Sequence, residues 1–198
     1  RMLPVADGAD MGGSLRNPAA FNNVLGLRPS QGRVPFWPRG DAFAGQLTTE
    51  GPMGRSADDL ALLLSVQSGY DARAPLSLDG AVPDWHDRLE RDFAGARVGW
   101  LGDLGGHLPF EPGILALCEA ALARFGDAGL QVEPVRTDFD WERVWHAFTV
   151  LRQFIIGGKH GAHYDVPASR ALQKPELQWE IEQYRKLSAD DLYRAALD

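Results

Sequence analysis

The 198-residue chain has the size of one ordinary domain, is 44% hydrophobic and 24% charged, and carries a formal net charge of −7, which marks it as globular rather than disordered. Its 20 basic residues, 17 of them arginine and three lysine (Lys159, Lys174, Lys186), form no cluster, so no nucleic-acid partner is expected. A lone cysteine, Cys118, excludes an internal disulfide and fits a reducing, cytoplasmic compartment, and no run approaches a membrane span or a signal peptide.

In chain order, the short apolar stretch 2–6 reads as a strand feeding a glycine loop. Asn17 before Pro18 predicts a helix start, with a short helix ending near Gly26. Residues 27–50, rich in Pro and Gly, read as an irregular loop. Ser56 and Asp59 form a capping-box pattern ahead of an apolar helix that ends at Gly69. Residues 70–94 are a polar connection tacked down by Trp85 and Leu89. A βαβ unit follows: a strand at 97–101, a helix opened by Pro112 and ending around Gly126 or Gly129, and a strand at 130–135. A crossover of this length predicts parallel pairing. Within that helix Cys118 reads as a small buried hydrophobe. Trp141, Val144, Trp145, Phe148, Leu151 and Ile155 predict a helix stopping at Gly157-Gly158. Leu177, Ile181, Tyr184 and Leu187 form another helical stripe, and Ser188 with Asp191 opens a last helix. Arg1 is an implausible translation start and residues 190–198 stop inside a helical pattern. The chain is therefore expected to be an internal fragment, incomplete at both ends.

The chemistry concentrates in Gly8-Ala9-Asp10-Met11-Gly12-Gly13-Ser14-Leu15-Arg16-Asn17-Pro18. Two glycines directly before a serine let the backbone approach a carbonyl carbon, and successive N–H groups can form a concave anion site. A nucleophile beside such donors suits acyl transfer, where losing one donor typically costs about 3 kcal/mol in the transition state. A Gly-Gly-Ser turn is also a common plain helix start. The loop lacks the Gly-Lys-Ser/Thr ending of a nucleotide P-loop and the second glycine of a nucleophile elbow, where Arg16 stands.

Residues 8–19 resemble the core of the amidase signature family. So do Gly26-Leu27-Arg28-Pro29-Ser30-Gln31-Gly32-Arg33-Val34-Pro35 and the block from Glu50 to Leu64. The likeness runs through the βαβ unit to the stretch from Leu187 to Ala196. It implies an α/β amidase signature fold, a mixed sheet layered between helices, forming one partial domain over residues 1–198. Its parts would be a nucleophile region at 1–69, the βαβ unit at 95–136 and a helical, substrate-side region at 140–198. The family hydrolyses carboxylic amides with a serine–cis-serine–lysine triad and no cofactor or metal. The resemblance puts the acylated nucleophile on Ser14, the oxyanion hole on the backbone amides of Met11, Gly12, Gly13 and Ser14, and loop support on Asp10 and Arg16. The bridging serine and the lysine lie upstream in the family, whereas only 13 residues precede Ser14 here and none is lysine or serine. The isolated chain is therefore expected to be inactive.

Asn22-Asn23 replace the family's usual Cys-Gly, and Arg28 replaces a frequent lysine. Residues 36–50 resemble the hydrolase branch rather than the glutaminase component of tRNA-dependent amidotransferases. The partner implied is a small-molecule amide, with a homodimer left open and the missing N-terminal part of the same domain expected. The alternatives are a non-catalytic binding homologue and a glutaminase-type component of an amidotransferase. His160, His163 and Asp165 read as a loop after the glycine stop rather than as metal ligands. Trp141, Trp145 and Phe148 read as core, with residues 140–165 as a candidate acyl-group contact. Nothing in the sequence brings His107 to Ser14.

Overall fold

The computed structural model describes residues 3–38, 41 and 45–198. The chain divides into two compact units, one of Arg1–Glu90 with Leu151–Leu187 and one of Arg91–Val150 with Ser188–Asp198.

The first unit is built on a three-stranded antiparallel sheet in the order β1-β3-β2, with β1 at Ala6–Asp10, β2 at Leu25–Gly26 and β3 at Thr49–Gly54. The first strand lies later than the 2–6 expected, because its residues are those that pair with β3, from Ala6 opposite Met53 to Asp10 opposite Thr49. Side chains alternate between the faces of a strand. Gly8, Asp10, Thr49, Gly51 and Gly26 therefore share one face. That face is a glycine floor. A Cβ on Gly51 would lie 2.3 Å from the Leu27 carbonyl oxygen and 2.9 Å from Leu15 Cδ1, and one on Gly26 would lie 2.6 Å from the Leu15 carbonyl oxygen. Leu15, fully buried, settles onto this floor and fixes the start of α1 (Arg16–Asn22).

That helix starts one residue before Asn17, without a side-chain cap, and stops at Asn23 in the left-handed region (φ 51) rather than near Gly26, since Gly26 is needed in β2. On the opposite face, Gly54 backs onto Asp59 Cβ of α2 (Ala57–Gln67). The expected capping box opens α2: Ser56 Oγ accepts from the Asp59 amide at 3.1 Å, and Asp59 Oδ2 accepts from the Ser56 amide at 3.1 Å. Between β2 and β3 the chain is irregular in its described residues. In the following connection, Trp85 is half-buried beneath Arg33, 5.6 Å from guanidinium carbon to ring centroid.

The second unit contains the predicted βαβ: β4 (Arg97–Trp100) and β5 (Gln131–Pro134) are parallel, joined by α3 (Ile114–Asp127). Cys118 is only half-buried there, and no residue of α3 is fully buried. This corrects its reading as a buried hydrophobe. Trp145 is 65% exposed and stacks at 5.6 Å on Phe148, so it is not core in this unit. Asp198, just past the end of α7 (Ala189–Leu197), pairs with Arg143.

Helix α4 runs from Trp141 to Tyr164, straight through the predicted stop at Gly157-Gly158. Its residues 151–164 belong to the first unit and pack against α6 (Pro175–Tyr184). Glycine inside a helix costs about 1 kcal/mol relative to alanine, but here Gly157 is buried and a Cβ would sit 2.1 Å from Tyr184 Cγ. The missing side chain is what admits Tyr184. Arg152 Nε–Glu180 Oε1 (2.8 Å) and Tyr164 Oη–Glu182 Oε1 (2.7 Å) close the same contact. Helix α5 spans Pro167–Arg170.

Two core variants test this account by chemical denaturation. Leu15→Ala is expected to cost about 2–5 kcal/mol, the range for a buried large-to-small change. Gly157→Ala improves local helix propensity yet is expected to destabilise by about 1–3 kcal/mol through overpacking; a gain in stability would refute the close helix contact.

Candidate active site

The turn Met11–Leu15 joins β1 to α1 and is organised by one side chain. Asp10 is fully buried, and an isolated carboxylate there would be severely destabilised. Its two oxygens instead collect donors from the loop. Oδ1 accepts from the Gly13 amide at 2.7 Å, and Oδ2 from the Leu15 amide at 3.2 Å. Arg16 adds a two-pronged contact, Nε to Oδ2 at 3.0 Å and Nη2 to Oδ1 at 3.1 Å. Arg28 Nη1 donates to Asp10 Oδ1 at 3.0 Å and to the Asp10 backbone oxygen at 2.6 Å. Its Nη2 donates to the Leu47 carbonyl at 2.8 Å. One guanidinium therefore ties the end of β1 to the segment entering β3.

Burial alone would raise the Asp10 pKa. The Arg16 hydrogen bonds, the Gly13 and Leu15 amides and Arg28 outweigh it and hold the carboxyl well below the ordinary carboxylate range. Two guanidiniums against one carboxylate leave the cluster with an excess positive charge, partly screened because the Arg16 and Arg28 side chains are 55% and 29% exposed.

The consequence for Ser14 is geometric. The amides on either side of it, Gly13 and Leu15, both point at Asp10, so the intervening residue is turned outward. Ser14 is exposed, and its hydroxyl has no hydrogen-bond partner among the described residues. Gly13 has φ +114, a conformation L side chains rarely adopt, and its carbonyl accepts from the Asn17 amide at 2.7 Å. Gly13 was expected among the oxyanion donors. Its N–H is engaged by Asp10, because a buried carboxylate must be satisfied first. The amides of Met11, Gly12 and Ser14 have no acceptor among the described residues. Arg28, which sequence reasoning noted only as a lysine replacement, is the member it missed. The available signal was a lone cation in an otherwise apolar Gly-Leu-Arg-Pro segment.

His160 and His163 lie within α4 rather than in a loop, and burial, with Lys159 and His163 nearby, lowers the His160 pKa. Among the described residues no group of three or more His, Cys, Asp or Glu could hold a metal ion. His107 belongs to the second unit. In the block used to choose a branch, Arg39, Gly40, Ala42 and Phe43 lie outside the described residues. No helix among the described residues is long and apolar enough to cross a membrane.

Comparison with known proteins agrees with this architecture. The chain matches the amidase family over residues 1–176 and belongs to that family. It is 38% identical over 135 residues to a glutamyl-tRNA(Gln) amidotransferase subunit from Methylococcus capsulatus, a match covering 68% of this chain and 27% of that protein. Its structure superposes with a TM-score of 0.89 on a bacterial aryl acylamidase of the amidase signature enzymes, at 30% identity over 99% of this chain and 41% of the other. It superposes with a TM-score of 0.73 on the peptide amidase of Stenotrophomonas maltophilia, at 26% identity over 100% of this chain and 44% of the other. The chain thus spans 27% of the length of that curated relative, and the fold is that of amidase signature enzymes.

Because the folded Asp10 pKa is depressed, the folded state favours the ionised carboxylate. Its stabilisation is present above the unfolded pKa of about 3.9 and is lost as pH falls towards the folded value. Thermal melts should therefore show stability falling below about pH 4, with a shallower fall in Asp10→Asn. At neutral pH, Asp10→Ala should cost about 3–5 kcal/mol, as for breaking a buried ion pair by removing one partner.

Proposed function

We propose that this chain carries the nucleophile and oxyanion-binding part of an amide hydrolase, with Ser14 as the residue acylated by substrate. One observation carries the reading: Asp10 takes the amides flanking Ser14, which leaves an exposed hydroxyl beside the unengaged amides of Met11, Gly12 and Ser14. In the reaction, Ser14 Oγ adds to the amide carbonyl carbon, and those three amides stabilise the resulting oxyanion. Collapse breaks the C–N bond, and the leaving amine takes up the proton that the serine gave to the base. Water then cleaves the acyl-serine, releasing a carboxylic acid and restoring the hydroxyl. Asp10 and Arg16 hold the loop and transfer no proton. The base is the lysine relaying through a second serine that the family resemblance places upstream of the nucleophile, outside the 13 residues before Ser14.

The acceptor of the acyl group follows two readings. The likeness to the aryl acylamidase at TM-score 0.89 supports hydrolysis of a small amide by water. The 38% identity to a glutamyl-tRNA(Gln) amidotransferase subunit supports a role within a larger assembly, with ammonia passed to a second reaction. Both share the acyl-serine step.

The test is intact-mass and peptide analysis of the protein as its gene encodes it, after reaction with a serine-directed phosphonate. Labelling on the Ser14 peptide is expected, together with a loss in kcat/KM of about a thousandfold or more in Ser14→Ala. Labelling elsewhere, or turnover retained in Ser14→Ala, would refute the assignment.

A further inference from the structure

The second unit carries an open cleft of about 650 Å³ at one end of its parallel sheet, within the roughly 300–1,000 Å³ typical of small-molecule sites. Its place follows from strand direction. Because β4 and β5 run parallel, the segments that leave them emerge at the same edge, and both contribute to the lining. Ligands of parallel α/β sheets bind outside this carboxyl end of the strands. The segment after β4 curls tightly over the strand end: Gly102, Leu104, Gly105 and Gly106 have φ of 58, 57, 72 and 92. The Leu104 amide donates to the Leu101 carbonyl at 3.1 Å, and the Leu108 amide to the Asp103 carbonyl at 3.1 Å. A leucine in the left-handed region costs about 1–2 kcal/mol, so these bonds hold the loop in a conformation its side chain disfavours. On the other side, the Val135 amide donates to the Trp100 carbonyl at 2.9 Å, which carries the β4–β5 ladder to the mouth of the cleft.

The lining combines three aromatic rings with two opposite charges. Trp100 and Trp141 are half-buried, and Phe139, 66% exposed, meets Trp141 edge-on at 5.7 Å. Asp103 and Arg136 line the same cleft, the first half-buried and the second exposed. Among the described residues, neither side chain takes part in a hydrogen bond or ion pair, with the other or with any third group. His107 is the remaining titratable group of the lining. A guest of a single sign would be attracted by one of the two charges and repelled by the other. A zwitterion answers both: its carboxylate meets the fork of the Arg136 guanidinium, and its ammonium meets the Asp103 carboxylate. The rings call for an aromatic body, because aromatic pairs contribute about 0.5–1.5 kcal/mol beyond the area they bury.

We propose that this cleft binds an aromatic amino acid as its zwitterion, with Arg136 on the carboxylate, Asp103 on the ammonium and the three rings around the side chain. The site rests on residues of the second unit alone and is independent of the role of Ser14. The experiment is isothermal titration of phenylalanine into the protein as its gene encodes it. Saturable binding is expected, weakened about tenfold in Arg136→Gln and in Asp103→Asn. Neither side chain has a partner to lose, so both variants should keep the Tm of the unmodified protein. Three ligands probe the unmodified protein and need no variant: 3-phenylpropionate lacks the ammonium, phenethylamine the carboxylate and alanine the ring. Each should bind about tenfold more weakly than phenylalanine. Absence of saturable binding, or binding unchanged in either folded variant, would overturn the proposal. So would 3-phenylpropionate binding as tightly as phenylalanine, which would leave a plain carboxylate contact at Arg136.

Discussion

A single buried carboxylate, Asp10, sets the shape of the turn between β1 and α1. Charge inside a protein is tolerated only when its hydrogen-bonding capacity is met. The donors that meet it here come from the loop that follows Asp10, from Arg16 at the start of α1 and from the more distant Arg28. The amides of Gly13 and Leu15 turn inward to reach it, and the residue between them turns outward as a geometric consequence. The exposed serine is thus produced by satisfying an aspartate. Arg28 extends the same constraint to the segment before β3, so strand and loop are held as one piece.

A second constraint works from the other side. Leu15 has to be buried for α1 to sit on the sheet, and the sheet admits it only because glycines occupy the facing positions on three strands. Gly8, Gly26 and Gly51 differ in sequence context but share one role, the removal of side chains beneath Leu15 and α1. The polar clamp at Asp10 and the apolar seat at Leu15 lie five residues apart and bracket the turn. Neither would define the loop alone: a clamp without a seat leaves α1 loose, and a seat without a clamp leaves the amides free to turn outward.

Much of this was legible in the sequence where the signal is local. The capping box at Ser56 formed as expected, and Ser188 with Asp191 opened a helix as expected, through a capping box of its own, because the residues involved are three apart. The parallel βαβ unit followed from crossover length. Long-range packing was not legible. Gly157 looked like a helix stop, and only the approach of Tyr184 from α6 gives it a reason inside the helix. Asn17 looked like a cap, but the first turn is set by Leu15 and Asp10. Likewise Arg28 becomes part of the site only once β2 and the segment before β3 are brought to Asp10. The resemblance implied four amides for the loop, Met11, Gly12, Gly13 and Ser14, and only the fold shows that the Gly13 amide is taken by Asp10.

The family relationship and the loop geometry therefore meet at one point, the division of the turn's amides between those that Asp10 engages and those we propose for an oxyanion. Residue-resolved amide hydrogen exchange tests that division most directly. The account predicts strong protection of the Gly13 and Leu15 amides and rapid exchange at Gly12 and Ser14, with protection at Gly13 and Leu15 lost when Asp10 is replaced by asparagine. Equal exchange at Gly12 and Gly13 in the unmodified chain would contradict it.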